Sequence, residues 1–554
     1  MRSSNSQTPS SFEVLTPTRF LDRAAAAFAD RLAIVDGERR FTYAEFHDRA
    51  LRLTGVLAGL GVEPGDRVAV LCANSHTMLE LHTAIPLRAA VMVPLNTRLS
   101  EPELKYIIEH SGARVLIATT EFASTATRLA TDCPIRVLLA DGQDADLEVR
   151  MQEATPALRS IDNEQALLAI NYTSGTTGRP KGVMYHHRGA YLQALAMAYH
   201  TGLDTSSSYL WTLPMFHCHG WCFPWAVTAA GATHICLRTV DPEEIWRHVR
   251  HGVTHFSAAP TVLNMLAEHP GAHDGSRQPI EVTTGGAPPS PTLLHRMAQL
   301  NIHITHLYGM TETFGPVIIN QWQREWDALD PPLIAEMKAR QGIPNVLGSA
   351  ARVIDASGSD VRADGTSVGE LVLRGNTIML GYYNDAAATA AATFGDGWLR
   401  TGDLAVKHPN GYVEIRDRLK DVIISGGENI ASVEIERVLD SHPAVVESAV
   451  VGMPDERWGE VPVAFVTTRP GIDVTADELQ DFLRASLARF KVPKRIHFTA
   501  LPHTSTGKIQ KNALRTSAAS QMTEETTTHR ALRAMAQTRS TTDLRINRRQ
   551  SEEP

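Results

Sequence analysis

The sequence predicts an α/β protein, with a large N-terminal domain of several α/β subdomains followed by a small C-terminal α+β domain. Three observations carry this expectation. Short apolar runs alternate with helix-length stretches along much of the chain, which is the pattern of buried strands layered with helices. The rhythm breaks near Lys420, where glycines and charges intervene. The length, 554 residues, exceeds that at which a single hydrophobic core keeps growing, so several lobes are required.

The first strands are read from RVAVLCAN, AVMVPLN and ARVLIA between Arg67 and Ala118. ALLAINYT, YLWTLPMFH, THICLR, VTHFSAAP, IEVTTGGAP and ITHLYGMTE continue the theme, each ending in a turn rich in Gly, Pro, Thr or His. Function in such sheets concentrates where strands run out, so these endings are where a site is sought. After GELVLRGNTIMLGYY the chain passes through DGWLRTGDLA into GYVEIRDRLKDVIISGGENI, which places the domain limits at 1–419 and 420–515. In the smaller domain SVEIERVLD has the spacing of an amphipathic helix, and AVVESAVVG and VPVAFVTT read as strands. Thr475 and Glu478 form a capping box that opens a helix carrying Leu479, Phe482 and Leu483 on one face. Residues 516–554, rich in Thr, Ser, Arg and Glu, are expected to be a disordered tail.

Composition excludes several classes of function. With 53 Lys and Arg against 61 Asp and Glu, no polyanion-binding surface is announced and nucleic acid is not an expected partner. No run of about 18 apolar residues could cross a bilayer. The polar, Ser-rich start lacks the apolar stretch of a secretory signal, so a cytoplasmic location is expected. The five cysteines, at positions 72, 133, 218, 222 and 236, cannot all pair. A zinc site at Cys218 and Cys222 with His217 and His219 would need Cys236 or His234 to complete it, and the spacing disfavours it.

The sharpest chemical signal follows the apolar run ending at Ile170: Tyr172, Thr173, Ser174, Gly175, Thr176, Thr177, Gly178, Arg179, Pro180, Lys181, Gly182. Such a turn offers backbone N–H groups, hydroxyls and a cation to a polyphosphate. It is not a Walker A loop, because the spacing to Lys181 is wrong and Gly182 follows that lysine. The segment resembles the phosphate-loop signature of the adenylate-forming superfamily, which includes acyl-CoA synthetases, luciferases and peptide-synthetase adenylation domains. The resemblance extends from Phe20 to Arg515. It includes, in order, Pro214–His217, Gly285–Pro288, Tyr308–Glu312, Thr401–Asp403, Arg416–Lys420, Ser425–Asn429 and Ser505–Lys508.

The resemblance implies an ATP-dependent carboxylic acid:CoA ligase that uses ATP, magnesium and coenzyme A. Thr173 and Thr311 would donate to phosphate, and Glu312 would hold the magnesium. Tyr308, with Gly309 beside it, would lie on the adenine face, and Gly285, Gly286, Ala287 and Pro288 would present backbone to the adenine edge. Asp403 would accept the ribose hydroxyls with Arg418 as a second contact. Lys508 would bridge the acyl carboxylate and the α-phosphate. Lys420 would be the hinge about which the small domain turns, withdrawing Lys508 and bringing Gly426 and Gly427 to the adenylate beside a slender pantetheine arm.

His217 stands where amino-acid-activating relatives carry an aspartate. An unpaired buried ammonium is costly, so an α-amino acid substrate is disfavoured. His217 is expected to pack and gate the acyl tunnel, with proton transfer as the lesser alternative. Trp221, Phe223, Ala258, Met310 and Phe314 are expected to line a pocket for an aliphatic or aryl tail. HCHGWCFPW, with the stretch from Trp326 to Gly342, resembles the branch that handles short- to medium-chain fatty or arylalkanoic acids. Two other readings stay open: a fatty acyl-AMP ligase loading a carrier protein, and an inactive nucleotide-binding homologue. A homodimer also stays open.

Overall fold

The computed structural model describes residues 11, 13–142, 145–173, 179–272, 275–426, 428–455, 457–504 and 508–518. The chain divides into two compact units: the first runs to Leu419 and takes in Lys508 as well, and the second begins at Lys420 and holds the rest.

In the first unit the apolar runs become two largely parallel sheets. One is ordered Arg136–Leu139, Val115–Ala118, Arg67–Leu71, Val91–Pro94, Leu167–Tyr172, Gly182–His186, all parallel except the last pair. Its central strands are buried along their length, as strands covered on both faces must be. The other runs Ile343–Pro344, Gly315–Ile319, Ile302–Met310, Ile280–Thr284, His255–Ser257, Ser208–Trp211, Thr233–Cys236, Leu32–Asp36, Arg39–Thr42, with antiparallel strands at its two ends. A third, antiparallel sheet holds Ala350–Ile354, Val368–Arg374, Trp398–Lys407 and Val413–Arg418. The runs ALLAINYT to ITHLYGMTE all form strands, and the turns that end them lie at strand ends.

Helix His76–Leu87 is buried on every side, although it carries Glu80, His76 and His82. Such groups are stable inside only when paired. Glu80 takes the Arg49 guanidinium at 2.5 Å. His76 Nδ1 lies 2.6 Å from Asp36 Oδ2, and Arg238 bridges Asp36, Glu121 and Asp141 at 3.4, 3.0 and 2.7 Å. This network ties the ends of the two parallel sheets together.

Burial alone would raise the Asp36 pKa, but the His76 hydrogen bond and the Arg238 charge outweigh it and hold it at about 2. A carboxyl depressed on folding stabilises the protein above its unfolded value, and that contribution fades as pH falls toward the folded value. The gap in urea midpoint between the wild type and Asp36→Asn is therefore expected to be wide at neutral pH and to narrow near about pH 3. An unchanged gap would show that the charge of Asp36 is not what holds this corner.

In the second unit, strands Glu428–Ile430, Ile423–Ser425, Gly459–Thr468 and Val445–Asp455 form an antiparallel sheet, with Arg495–Phe498 added in parallel. Helices Ser432–Asp440 and Ala476–Ser486 bury Ile435, Leu439, Leu479 and Leu483 against it, and the Thr475–Glu478 capping box is formed. Residues 511–518 are helical, so this unit continues past the limit at 515: Leu514 and Ala518 are buried with Phe465 and Leu501. The rest of the expected tail, from 519, lies outside the described residues. Among the described residues, no helix is long and apolar enough to cross a membrane.

Candidate active site

Tyr172 and Gly182, which bound the turn-forming segment, end strand Leu167–Tyr172 and begin strand Gly182–His186. Those two residues pair across antiparallel strands, and the Thr173 N–H donates to the Lys181 carbonyl at 3.0 Å, closing the mouth of the loop. Ser174, Gly175, Thr176, Thr177 and Gly178 lie outside the described residues. Aromatic side chains brace the stem on both sides. The Tyr172 hydroxyl lies 2.8 Å from His110 Nδ1, the Arg179 guanidinium stands 5.4 Å from the Tyr106 ring centroid, and Lys181 Nζ stands 4.9 Å from that of Tyr382.

Strand Ile302–Met310 brings Tyr308 and Gly309 to its end and continues into a single 3-10 turn, Thr311–Thr313. Position 309 must be glycine, because a Cβ there would run into the Gly315 carbonyl oxygen. The tight reversal turns Glu312 inward, where it is only 8% exposed. Its Oε1 accepts a hydrogen bond from the Tyr382 phenol at 2.7 Å, and among the described residues no ion pair forms on it. A nearly buried carboxylate whose partner is neutral lacks the counter-charge that burial demands. A hard divalent cation that also takes phosphate oxygens would supply it, so Glu312 fits magnesium. The neighbouring Thr311 is fixed through its carbonyl, which accepts from the Tyr185 hydroxyl at 2.7 Å.

Asp403 and Arg418 face each other across adjacent antiparallel strands, with Arg418 Nε 3.6 Å from Asp403 Oδ1. The Tyr308 hydroxyl donates to Oδ2 of the same carboxylate at 2.6 Å. Burial first, and then the Asp403 charge, push the Tyr308 pKa well above the ordinary phenol value, so the phenol stays a donor. The three residues thus converge on one anionic group. Gly285, Gly286, Ala287 and Pro288 follow strand Ile280–Thr284; a Cβ at Gly285 would lie 2.9 Å from the Leu307 carbonyl and 3.2 Å from the Trp221 ring.

The segment HCHGWC holds a feature the sequence does not announce. Cys218, His219, Gly220, Trp221 and Cys222 all have positive φ, between 47° and 66°, and form a left-handed turn. Left-handed geometry costs about 1–2 kcal/mol for each non-glycine residue, and it is held here because Cys218, His219 and Cys222 are sealed in the core. The turn lodges Trp221 against Gly285 and Gly315. His217 follows Phe216, whose carbonyl accepts from Asn171 at 2.7 Å. Burial lowers the His217 pKa to about 4, so the ring is neutral near pH 7.

The remaining expected pocket residues differ in what they do. Phe223 stacks on Tyr209 with ring centroids 4.7 Å apart and Phe314 on Tyr185 at 3.7 Å; both rings are committed to the core. Ala258 is buried, whereas Met310 is partly open. All five cysteines are free and buried. Among the described residues no group of three or more His, Cys, Asp or Glu could hold a metal.

In the second unit, Lys420 lies in the turn that follows strand Val413–Arg418. Gly426 has φ +60°, its N–H donates to the Trp458 carbonyl at 2.8 Å, and a Cβ there would meet the Trp458 ring at 2.8 Å. Gly427 and the turn residues Ser505, Thr506 and Gly507 lie outside the described residues. Lys508, which groups with the first unit, precedes Ile509, which bridges back to His503.

Sequence reasoning passed over Tyr382, Tyr185 and Asn171. Each holds a site segment through a hydrogen bond to a position remote in the chain. The one available signal is the pair Tyr382–Tyr383 directly after Gly381.

The chain is similar to known proteins over most of its length. Residues 21–383 match the model of the AMP-binding enzyme family and residues 434–508 that of the AMP-binding enzyme C-terminal domain. The chain is 40% identical over 544 residues to the peroxisomal acetate/butyrate–CoA ligase AAE7 of Arabidopsis thaliana, covering 92% of this chain and 95% of that one. It is 40% identical over 532 residues to the 2-methylpropanoate–CoA ligase CCL4 of Humulus lupulus, covering 92% and 96%. Among solved structures it resembles ATP-bound MatB from Rhodopseudomonas palustris, with a TM-score of 0.81 at 29% identity over 90% of this chain and 98% of that one.

Proposed function

The chain belongs to the AMP-binding enzyme family, and on that premise we propose that it is an AMP-forming acid:CoA ligase acting on a short- to medium-chain carboxylic acid. In the first half-reaction the carboxylate of the acid attacks the α-phosphorus of ATP, pyrophosphate leaves, and an acyl-adenylate remains. In the second, the CoA thiol attacks the acyl carbon, AMP leaves, and the thiol proton is lost to solvent.

The barrier to the first step is electrostatic. Two like unit charges at 4 Å repel by about 4 kcal/mol at an effective dielectric of 20, and the nucleophile approaches several. This chain answers with Lys181, the loop that follows Thr173, Thr311 and Lys508. Glu312 would hold magnesium, whose charge, when bound, offsets that of the phosphate oxygens. Asp403, with Tyr308 and Arg418 on it, presents acceptor oxygens to the ribose hydroxyls. The observation that carries the reading is Glu312, turned inward on the strand-end turn and hydrogen-bonded to a neutral phenol.

Pyrophosphate release with a panel of carboxylic acids, with and without CoA, tests the reading. CoA-dependent turnover is expected. Stalled adenylate without thioester would point to a carrier-protein acceptor, and no release with any acid would reject the enzyme reading.

The relatives' names specify short acids, and Trp221 supports a short pocket here. Its indole fills the space that glycines at 285 and 315 leave open. Trp221→Gly removes that ring and relaxes the left-handed strain at φ 55°. One methylene in an apolar pocket is worth about 10- to 200-fold in selectivity, so kcat/KM is expected to move toward longer acids by at least roughly tenfold. An unchanged chain-length profile would remove Trp221 from the pocket.

A further inference from the structure

Tyr382 belongs to no motif recognised in the sequence, yet it touches two of the charged groups assigned to ATP. Its hydroxyl donates to Glu312 Oε1 at 2.7 Å, and Lys181 Nζ sits 4.9 Å from the centroid of its ring. The backbone around it is tied to both neighbours. Met379 N–H donates to the Glu312 carbonyl at 2.9 Å, Met184 N–H to the Gly381 carbonyl at 3.0 Å, and Tyr383 N–H to the Gly182 carbonyl at 2.7 Å. Val183 and Tyr382 form an antiparallel bridge. The segment 379–383 is thus a strap from the hairpin carrying Lys181 to the turn carrying Glu312.

We propose that Tyr382 is a positioning residue that couples the phosphate-loop lysine to the metal-holding carboxylate, fixing one oxygen of Glu312 through its hydroxyl and seating Lys181 on its ring. This rests on the reading of Glu312 and Lys181 as ATP-site groups. With Oε1 engaged by a neutral donor, Glu312 offers Oε2 as a single, oriented ligand. A guanidinium or ammonium in the same place would have neutralised it. The phenol restrains the carboxylate without competing with a cation for its charge. The ring faces the other way chemically: its π-electron density attracts an ammonium while leaving the N–H donors free to turn to phosphate. One side chain therefore holds a cation on its ring and an anion on its hydroxyl.

Outer-shell hydrogen bonds to metal ligands are typically worth 10- to 100-fold in metal affinity. In Tyr382→Phe the ring stays and the hydroxyl goes. The concentration of Mn²⁺ that half-saturates the enzyme–ATP complex, read from the Mn²⁺ electron spin resonance signal without acid or CoA, is expected to rise about 10-fold or more. ATP affinity at saturating metal and the thermal midpoint are expected to stay near wild type. Tyr382→Leu removes the ring as well and is expected to weaken ATP binding at saturating metal.

Glu312→Gln is measured alongside, to separate this inference from the reading beneath it. If Glu312→Gln leaves Mn²⁺ binding unchanged, the metal assignment fails. If it weakens binding while Tyr382→Phe stays within about twofold of wild type, the coupling fails and the site reading stands. The double variant supplies the second check, because groups acting through one hydrogen bond are non-additive. Tyr382→Phe is expected to add nothing in the Glu312→Gln background, and full additivity would overturn the proposal even if Tyr382→Phe also lowered the thermal midpoint.

Discussion

Lys508→Ala is expected to slow acyl-adenylate formation by a factor of about 10² to 10³, or roughly 2.7 to 4 kcal/mol of lost transition-state stabilisation, the usual consequence of deleting one preorganised charge-stabilising group. The reasoning starts from charge. An anion attacking phosphorus gathers negative charge on the α-phosphate and the incoming carboxylate together, and a cation placed between them is worth most at that moment. The thiol step needs no such cation, because its nucleophile attacks carbon and its leaving group is AMP. Single-turnover pyrophosphate release and single-turnover thioester formation from preformed adenylate measure the two steps separately. Equal losses in both would mean that Lys508 serves the fold or nucleotide binding in general.

Lys420→Pro is expected to have the opposite signature, leaving adenylate formation close to wild type and blocking thioester formation. The residues on either side explain why position 420 is singled out. The Leu419 N–H donates to the Gly402 carbonyl at 2.9 Å within the first unit. The Asp421 carboxylate takes Arg515 at 2.7 Å within the second. Each flanking residue is thus fixed to its own body, and a backbone change between the units falls on the residue between them, which is how hinges are built. Proline confines φ to a window near −65°. A conformer that needs another value at this point is depopulated by about tenfold for each 1.4 kcal/mol of cost. Normal thioester formation by the proline variant, in the same two single-turnover assays, would place the hinge elsewhere.

The strands were legible because each is a short apolar run closed by a turn residue. RVAVL, VMVP and VLIA are buried along their length, and burial on both faces leaves no other composition open to them. The capping box at Thr475 was legible because its two hydrogen bonds span three residues of sequence. Within the site, the motifs marked which strand ends to inspect, since phosphate and divalent cations demand glycines, hydroxyls and acids whatever the surroundings. What could not be read was everything that depends on pairing at a distance. Tyr382 meets Glu312 across 70 positions and Tyr185 meets Thr311 across 126, and nothing in the sequence around either tyrosine names its partner. The commitment of Phe223 and Phe314 to core stacking was hidden for the same reason, because an aromatic residue near a pocket motif looks alike in a wall and behind it. The helix that runs on to residue 518 depends on Leu514 and Ala518 meeting Phe465 and Leu501, contacts that the Ser- and Thr-rich composition of the region gives no reason to expect.

The turn at 218–222 bears on how this enzyme could change its diet. Four non-glycine residues held left-handed represent about 4–8 kcal/mol of stored conformational energy, comparable with the whole margin by which a typical domain stays folded. Such a segment behaves as a wound spring whose catch is the packing around the buried Cys218, His219 and Cys222. Loosening that packing would let the chain uncoil toward the right-handed form and swing the Trp221 indole off its seat. New acid preferences could therefore arise from substitutions behind the pocket, at positions that a survey of substrate contacts would never select.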